Sequence, residues 1–197
     1  LMVDINQLLL YLNYKLNLKG RVEYNGRQIN LRKIKKTRLK DLFGKFNINL
    51  DLYTVSPQDF IAETASIIGI SHHQIVINQL SKEDIFFKFF LEQLEPSLGR
   101  DCPEIVYEYP AEMAALSELC PDNPLYCKRF ELFISGIEIA NAYQELTDYH
   151  EQLLRFQNTL EFRKLNRKQP LELPRRFLNT LQYGIPPSSG IALGLER

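Results

Sequence analysis

The side chains with the greatest capacity for chemistry fall in GIEIANAYQELTD, residues 136 to 148, where Glu138, Asn141 and Glu145 stand among Ile, Ala and Tyr. A purely structural strand would carry more Val or Leu there. Drawing carboxylates into an apolar strand costs on the order of several kcal/mol unless each finds a partner, and a bound cation or an ammonium group is the obvious one. The preceding strand-like run, RFELFI, adds Glu131. A two-residue turn at Ser135-Gly136 would place Glu131 opposite Ala140 and Glu138 opposite Phe133. With a side-chain period of two, Glu131 and Glu138 then share a sheet face as diagonal neighbours, within reach of one ion. Hard oxygen ligands in a pair, with room left for phosphate oxygens, suit Mg²⁺ better than zinc or copper. The plain alternative is that one glutamate pairs with Arg129 and the other is solvated. Asn141 and Glu145 share parity with each other but not with Glu138, so an ideal strand would send them to the opposite face. A bulge near Ala140 would return them to the same pocket, and the expectation is that bulge.

The second candidate stretch is GIPPSSGIALGLER, residues 184 to 197. Two prolines fix its approach, and Gly190 and Gly194 flank a small-residue strand, Ile191-Ala192-Leu193, that a ligand could approach closely. It lacks the Lys-Ser or Lys-Thr of a phosphate-cradling loop. Elsewhere, His72 and His73 sit in a polar turn with no carboxylate or cysteine at metal spacing and read as surface residues. Cys102, Cys120 and Cys127 are odd in number and form no CxxC pair, which points to free thiols rather than zinc or disulfides.

These residues need elements to hold them. Leu8, Leu9, Tyr11, Leu12 and Leu16 fall at helical spacing in residues 1 to 18. Asn25-Gly26 between alternating apolar residues predicts a hairpin. Residues 27 to 40 hold seven Lys or Arg in fourteen, without interleaved aromatics, and read as a solvated face rather than a nucleic-acid patch. Thr37 is placed to cap a helix through Phe46, Ser56-Pro57 to open another, and Ser81 to start one that ends before Pro96 and Gly99. Phe86, Phe87, Phe89 and Phe90 in that last helix read as core. PEIVYEYP and KRFELFI read as strands, and residues 148 to 166 as a helix. The sum is one α+β unit, helices first and a mostly antiparallel sheet second.

The whole chain has 197 residues, 45% hydrophobic, with 24 basic and 24 acidic side chains. That balance excludes disorder and gives no global pull toward nucleic acid or an anionic membrane. No apolar run approaches the roughly 18 residues a spanning helix needs, so no membrane partner and a cytoplasmic location are expected. The chain opens on Leu1 and stops on an apolar and charged run, Gly194-Leu195-Glu196-Arg197, which reads as a fragment.

Taken together, RFELFISGIEIANAYQELTDYHEQLLRF (129 to 156), LQYGIPPSSGIALGLER (181 to 197) and YPAEMAALS (109 to 117) resemble the C-terminal catalytic region of class II lysyl-tRNA synthetases and of their paralogues that lysylate elongation factor P. The clear resemblance covers about residues 105 to 197. Residues 1 to 104 match loosely, where the family has a helical insertion after its second motif. The resemblance implies part of the class II antiparallel sheet with flanking helices, preceded by a mainly helical segment. It implies ATP and Mg²⁺ as cofactors, lysine or β-lysine as substrate, elongation factor P (or tRNA-Lys) as acceptor, and a homodimeric full-length enzyme. Residue by residue, it places Glu131 and Glu138 around ATP, the metal and the amino acid. The Leu132 backbone falls beside adenine, Asn141 and Glu145 fall in the lysine pocket, and Gly194 lies beneath the bent ATP that Arg197 holds. Ala192 stands where the synthetases usually carry glycine and the paralogues alanine, and ELTDYHEQ also looks like the paralogues. The family's first and second motifs are not found, so the isolated 197 residues are expected to be inactive. A lysyl-tRNA synthetase fragment and a non-catalytic paralogue acting as a binding module remain the alternatives.

Overall fold

Positive φ angles at Asn25 (48°) and Gly26 (72°) give the backbone a two-residue hairpin demands, joining strands β1 (Arg21–Tyr24) and β2 (Arg27–Asn30) as the sequence predicts. The computed structural model describes residues 1–165 and 167–196. Helix α1 (Met2–Lys15) precedes the hairpin. After it come a short strand β3 (Lys35–Arg38), then helices α2 (Leu39–Gly44), α3 (Leu52–Val55), α4 (Pro57–Ile67), α5 (His72–Ile77) and α6 (Lys82–Phe89). The second half supplies β4 (Glu104–Pro110), β5 (Tyr126–Ile134), β6 (Ile137–Gln144), α7 (Tyr149–Leu165), α8 (Arg175–Tyr183) and β7 (Ser189–Leu193). Strands β3 to β7 form one sheet in chain order, antiparallel except for the parallel pair β3–β4. The fold class is therefore α+β, as expected.

The two faces of the sheet bury different things. On one, Ile5 and Leu9 of α1 pack against Ile105, Phe130, Leu132, Ala140 and Ala142. On the other, α2, α4 and α6 bring Phe43, Phe60, Phe86 and Phe89 onto Val106 and Phe133. Phe43 stacks on Phe86 at 5.2 Å and Phe90 reaches Phe133 at 5.9 Å, the spacing at which aromatic pairs add to plain burial. The helix cluster covers only the β4–β5 end of its face. The β6–β7 end stays open, and the site lies there.

Local expectations fare unevenly. Ser81 closes a capping box with Asp84 at the start of α6, and Pro57 opens α4. Thr37, however, lies in β3 and donates its hydroxyl to Glu104 at 2.6 Å rather than capping α2, whose N-cap is Arg38. The stripe expected on α1 is rotated: the pair one turn apart, Ile5 and Leu9, meets the sheet, while Tyr11 and Leu16 are exposed. His72 and His73 are exposed as expected, but they begin helix α5 behind a Ser71–Gln74 capping box rather than lying in a turn. Phe87 is half exposed, unlike its three neighbours. All three cysteines are free. Among the described residues, no helix is long and apolar enough to cross a membrane.

Candidate functional site

The β5–β6 hairpin turns at Ser135 and Gly136, both with positive φ, and its first pairs are Ile134 with Ile137 and Phe133 with Glu138. One residue later the register slips. Leu132 pairs with Ala140 and Glu131 with Asn141, leaving Ile139 as the extra residue of a bulge. The expected pairing of Glu131 with Ala140 is thus wrong by one position, and the anticipated bulge is the cause. Because partners in a ladder share a face, the bulge puts Glu131, Glu138, Asn141 and Tyr143 on one side of the sheet. The Ile139 carbonyl is taken by the N–H of Gly194 at 2.9 Å. A second irregularity between β4 and β5, where Glu108 has φ 62°, turns Tyr109 onto that same face.

Around Glu131 these side chains form a bonded group. Its carboxylate accepts from the Tyr109 hydroxyl, from Arg129 Nη2 at 2.5 Å and from Asn141 Nδ2 at 3.0 Å, and the residue is 6% exposed. Arg129 Nε also donates to Asn141 Oδ1 at 3.3 Å, and its guanidinium lies over the Tyr109 ring at 4.7 Å. Burial pushes the Glu131 carboxyl above the usual glutamate range; Arg129 and Tyr109 oppose this, and the Glu138 charge adds to it. Burial also raises the Tyr109 phenol well above its ordinary value, so it is a firm donor. The partner foreseen for one glutamate, Arg129, is the one Glu131 has.

Beside this group opens a cavity of about 570 Å³, floored by Asn141 and Tyr143 from β6, Glu145 just past its end, and Gly190 and Ala192 from β7. Asn141 pairs with Ala192 and Tyr143 with Gly190. Glu145 leans over Gly190 so closely that a Cβ there would lie 2.5 Å from its Oε1. Burial raises the Glu145 carboxyl above its ordinary value. A further wall is residues 113–117, which meet the chain just past β6 where Ser117 bridges Glu145. The cavity therefore presents the Glu145 carboxylate at one end, an amide bonded to an arginine at the other, and Tyr143 with the small residues of β7 between them. That suits a small molecule carrying both an amine and an anionic group.

Among the expected site residues, the structure groups Glu131, Asn141, Glu145 and Ala192. Glu138 lies past the bulge, half buried and electrostatically coupled to Glu131, and does not line the cavity. The Leu132 side chain is fully buried on the other face, toward α1, which leaves only its backbone for a ligand. Gly194 serves the bulge, and Arg197 lies outside the described residues. Among the described residues, no three His, Cys, Asp or Glu side chains are grouped to hold a metal ion. Sequence reasoning missed Tyr109, Tyr143 and the 113–117 wall. Tyr143 was within reach, since it has the parity of Asn141 and Glu145; Tyr109 was not, because only the β4 irregularity brings it round.

Such an open sheet, antiparallel but for β3–β4, helix-backed and offering one face of carboxylate, arginine and small residues, is consistent with part of a class II synthetase core. The sequence comparisons agree: the model of the tRNA synthetases class II (D, K and N) matches residues 24–197, and the chain belongs to that family. It is 30% identical over 200 aligned residues, the whole of this chain and 39% of the relative, to a lysine–tRNA ligase of Mycoplasma pneumoniae. It is also similar to elongation factor P–(R)-β-lysine ligases. One from Hamiltonella defensa is 36% identical over 62% of this chain and 38% of the relative. One from Actinobacillus succinogenes is 42% identical over 55% of this chain and 33% of the relative. The chain thus spans well under half the length of these relatives.

Proposed function

We propose that this chain is part of an ATP-dependent lysine ligase that activates lysine or β-lysine as its adenylate and passes it to elongation factor P. The observation that carries the reading is the cavity in which the Glu145 carboxylate at one end and Asn141 at the other face small residues of β7. A half-buried carboxylate pairs well with a lysine ammonium, a charge-assisted contact worth about 1.5–3 kcal/mol, and disfavours side chains that leave it unpaired. In the reaction a lysine carboxylate oxygen bonds to the α-phosphorus of ATP and pyrophosphate leaves. Glu131, the Leu132 backbone, Gly194 and Arg197 are assigned to the nucleotide, and Glu138, Asn141, Glu145 and Ala192 to the amino acid.

Glu131 and Glu138 are assigned to Mg²⁺. Glu131 already accepts from Arg129, Tyr109 and Asn141 and would have to yield one of these to the ion; Mg²⁺ needs only one or two carboxylates besides phosphate oxygens and water. When bound it neutralises phosphate charge. Residues 1–104 are assigned as an insertion-like segment and 105–197 as the end of the catalytic core. The β3–β4 pairing and the seat of α1 on the sheet support their forming one structural unit. A cytoplasmic, homodimeric full-length protein completes the proposal.

One observation favours the second reading, a lysine–tRNA ligase: the Mycoplasma relative of that name aligns with the whole chain. Pyrophosphate exchange by the full-length protein with lysine and with β-lysine, followed by transfer to elongation factor P or to tRNA-Lys, separates the two. Exchange with neither amino acid rejects both and leaves a non-catalytic binding module.

A further inference from the structure

We propose that Gln152 and Arg155 of α7 are positioning residues for the cavity: they hold the backbone of residues 113–117 where it forms the wall. The proposal rests on reading that cavity as an amino-acid pocket. Every carbonyl of the wall is held from outside it. Met113 O accepts from Arg129 Nη1 at 3.4 Å, Ala115 O from Gln152 Nε2 at 3.1 Å, and Leu116 O from the Leu146 N–H at 2.8 Å. Arg155 Nη1 donates to both Ala114 O and Ser117 O, the latter at 2.8 Å, while its Nε binds Glu151 at 2.8 Å. Five successive peptide groups are thus oriented by donors from β5, the segment after β6 and α7, and α7 supplies three of the bonds.

The wall needs such holding. Ala114 and Ala115 line the cavity on one side and, on the other, a separate hollow of about 440 Å³ edged by Glu112, Glu151, Arg155 and Thr159. Ala114 is anchored in the core, but Ala115 beside it is exposed with space on each side, so there packing alone does not fix the chain. Nor does α7 sit on the sheet as an ordinary amphipathic helix. Its one buried residue is Gln152, fully enclosed, and the Gln152 Oε1 has no hydrogen-bond partner among the described residues. A buried amide with one half unsatisfied costs stability, and a helix position serving packing alone would hold Leu or Met. The glutamine makes sense if its other half, the Nε2–Ala115 bond, is what the position is for.

Gln152→Met tests this, because it keeps the shape and removes the unsatisfied oxygen together with the clamp. The full-length variant is expected to melt no lower than the parent. Amide hydrogen exchange at 113–117 is expected to quicken while β4 and β5 stay protected, and the KM for lysine in pyrophosphate exchange to rise about tenfold with that for ATP unchanged. Arg155→Lys, able to reach one carbonyl rather than two, is expected to fall between the parent and Arg155→Ala. Unchanged amide exchange at 113–117 in Gln152→Met overturns the proposal, as does a parallel rise of both KM values with a lowered melting temperature. If the parent shows no lysine-dependent exchange, the pocket reading fails, while the amide exchange still decides whether α7 holds the wall.

Discussion

Gly190→Ala adds one methyl group at the point where β7 meets the candidate amine-binding carboxylate. The new Cβ would stand 2.5 Å from Glu145 Oε1, whereas ordinary contact begins at 3.4 Å, so the oxygen must retreat by about 0.9 Å. Among the described residues, its chain neighbours aside, the Glu145 carboxylate is the only group within 4 Å of that Cβ, and Gly190 is not in the left-handed region. The strand therefore accepts alanine without strain, and exchanging glycine for alanine in a strand favours folding by roughly 0.5–1 kcal/mol. The cost falls on the ligand. A carboxylate displaced by that much loses most of a charge-assisted hydrogen bond worth about 1.5–3 kcal/mol, which corresponds to a roughly 10- to 150-fold weaker hold on an ammonium. Lysine-dependent pyrophosphate exchange by the full-length variant should give a lysine KM raised within that range, an unchanged ATP KM and an unchanged or higher melting temperature. A lysine KM equal to the parent's would refute the placing of the lysine ammonium at Glu145.

Three further outcomes follow from the same contacts. Because burial raises the Glu145 carboxyl, lysine binding should begin to weaken with falling pH above the ordinary glutamate value near about 4.3, and Glu145→Gln should bind poorly with a flat profile over that window, as lysine KM against pH will record. Tyr109→Phe removes a donor from buried Glu131; it should cost about 1–3 kcal/mol in urea unfolding and drive the Glu131 carboxyl further up, whereas an unchanged midpoint would remove the tyrosine from that network. Burial works to raise Glu104, but Lys35, Thr37 and the Gly99 N–H outweigh it and hold the carboxyl below its usual range, so its contribution is present above the unfolded-state value near about 4.3 and is lost as pH falls from there through the folded-state value; Glu104→Gln should flatten that part of an acid-unfolding curve.

How much of this was legible in the sequence depended on whether the signal lay in side chains or in backbone. Parity along GIEIANAYQEL was enough to demand a bulge, and capping residues located α4 and α6. Strand β3 gave no such signal. Lys35, Lys36, Thr37 and Arg38 offer no apolar alternation because β3 is an edge strand kept charged on its outside, and its parallel partner lies some seventy residues away. Helix α8 was missed because its two buried residues, Leu178 and Leu181, are few and the flanking prolines read as loop. The wall at 113–117 was illegible for a different reason: its contribution is made by carbonyls, which every residue has, so Ala114-Ala115 carries no mark of it.

The bulge at Ile139 sets how the end of β7 is tethered rather than which way β6 faces. Deleting that one residue would close the ladder, with Glu138 still opposite Phe133, Ala140 opposite Leu132 and Asn141 opposite Glu131, so the cavity side chains would keep their side of the sheet. What would go is the carbonyl that accepts from the Gly194 N–H, and with it the hold on the chain just past β7. A deletion there is accordingly expected to spare the floor of the cavity and to loosen the strand end that follows Ala192.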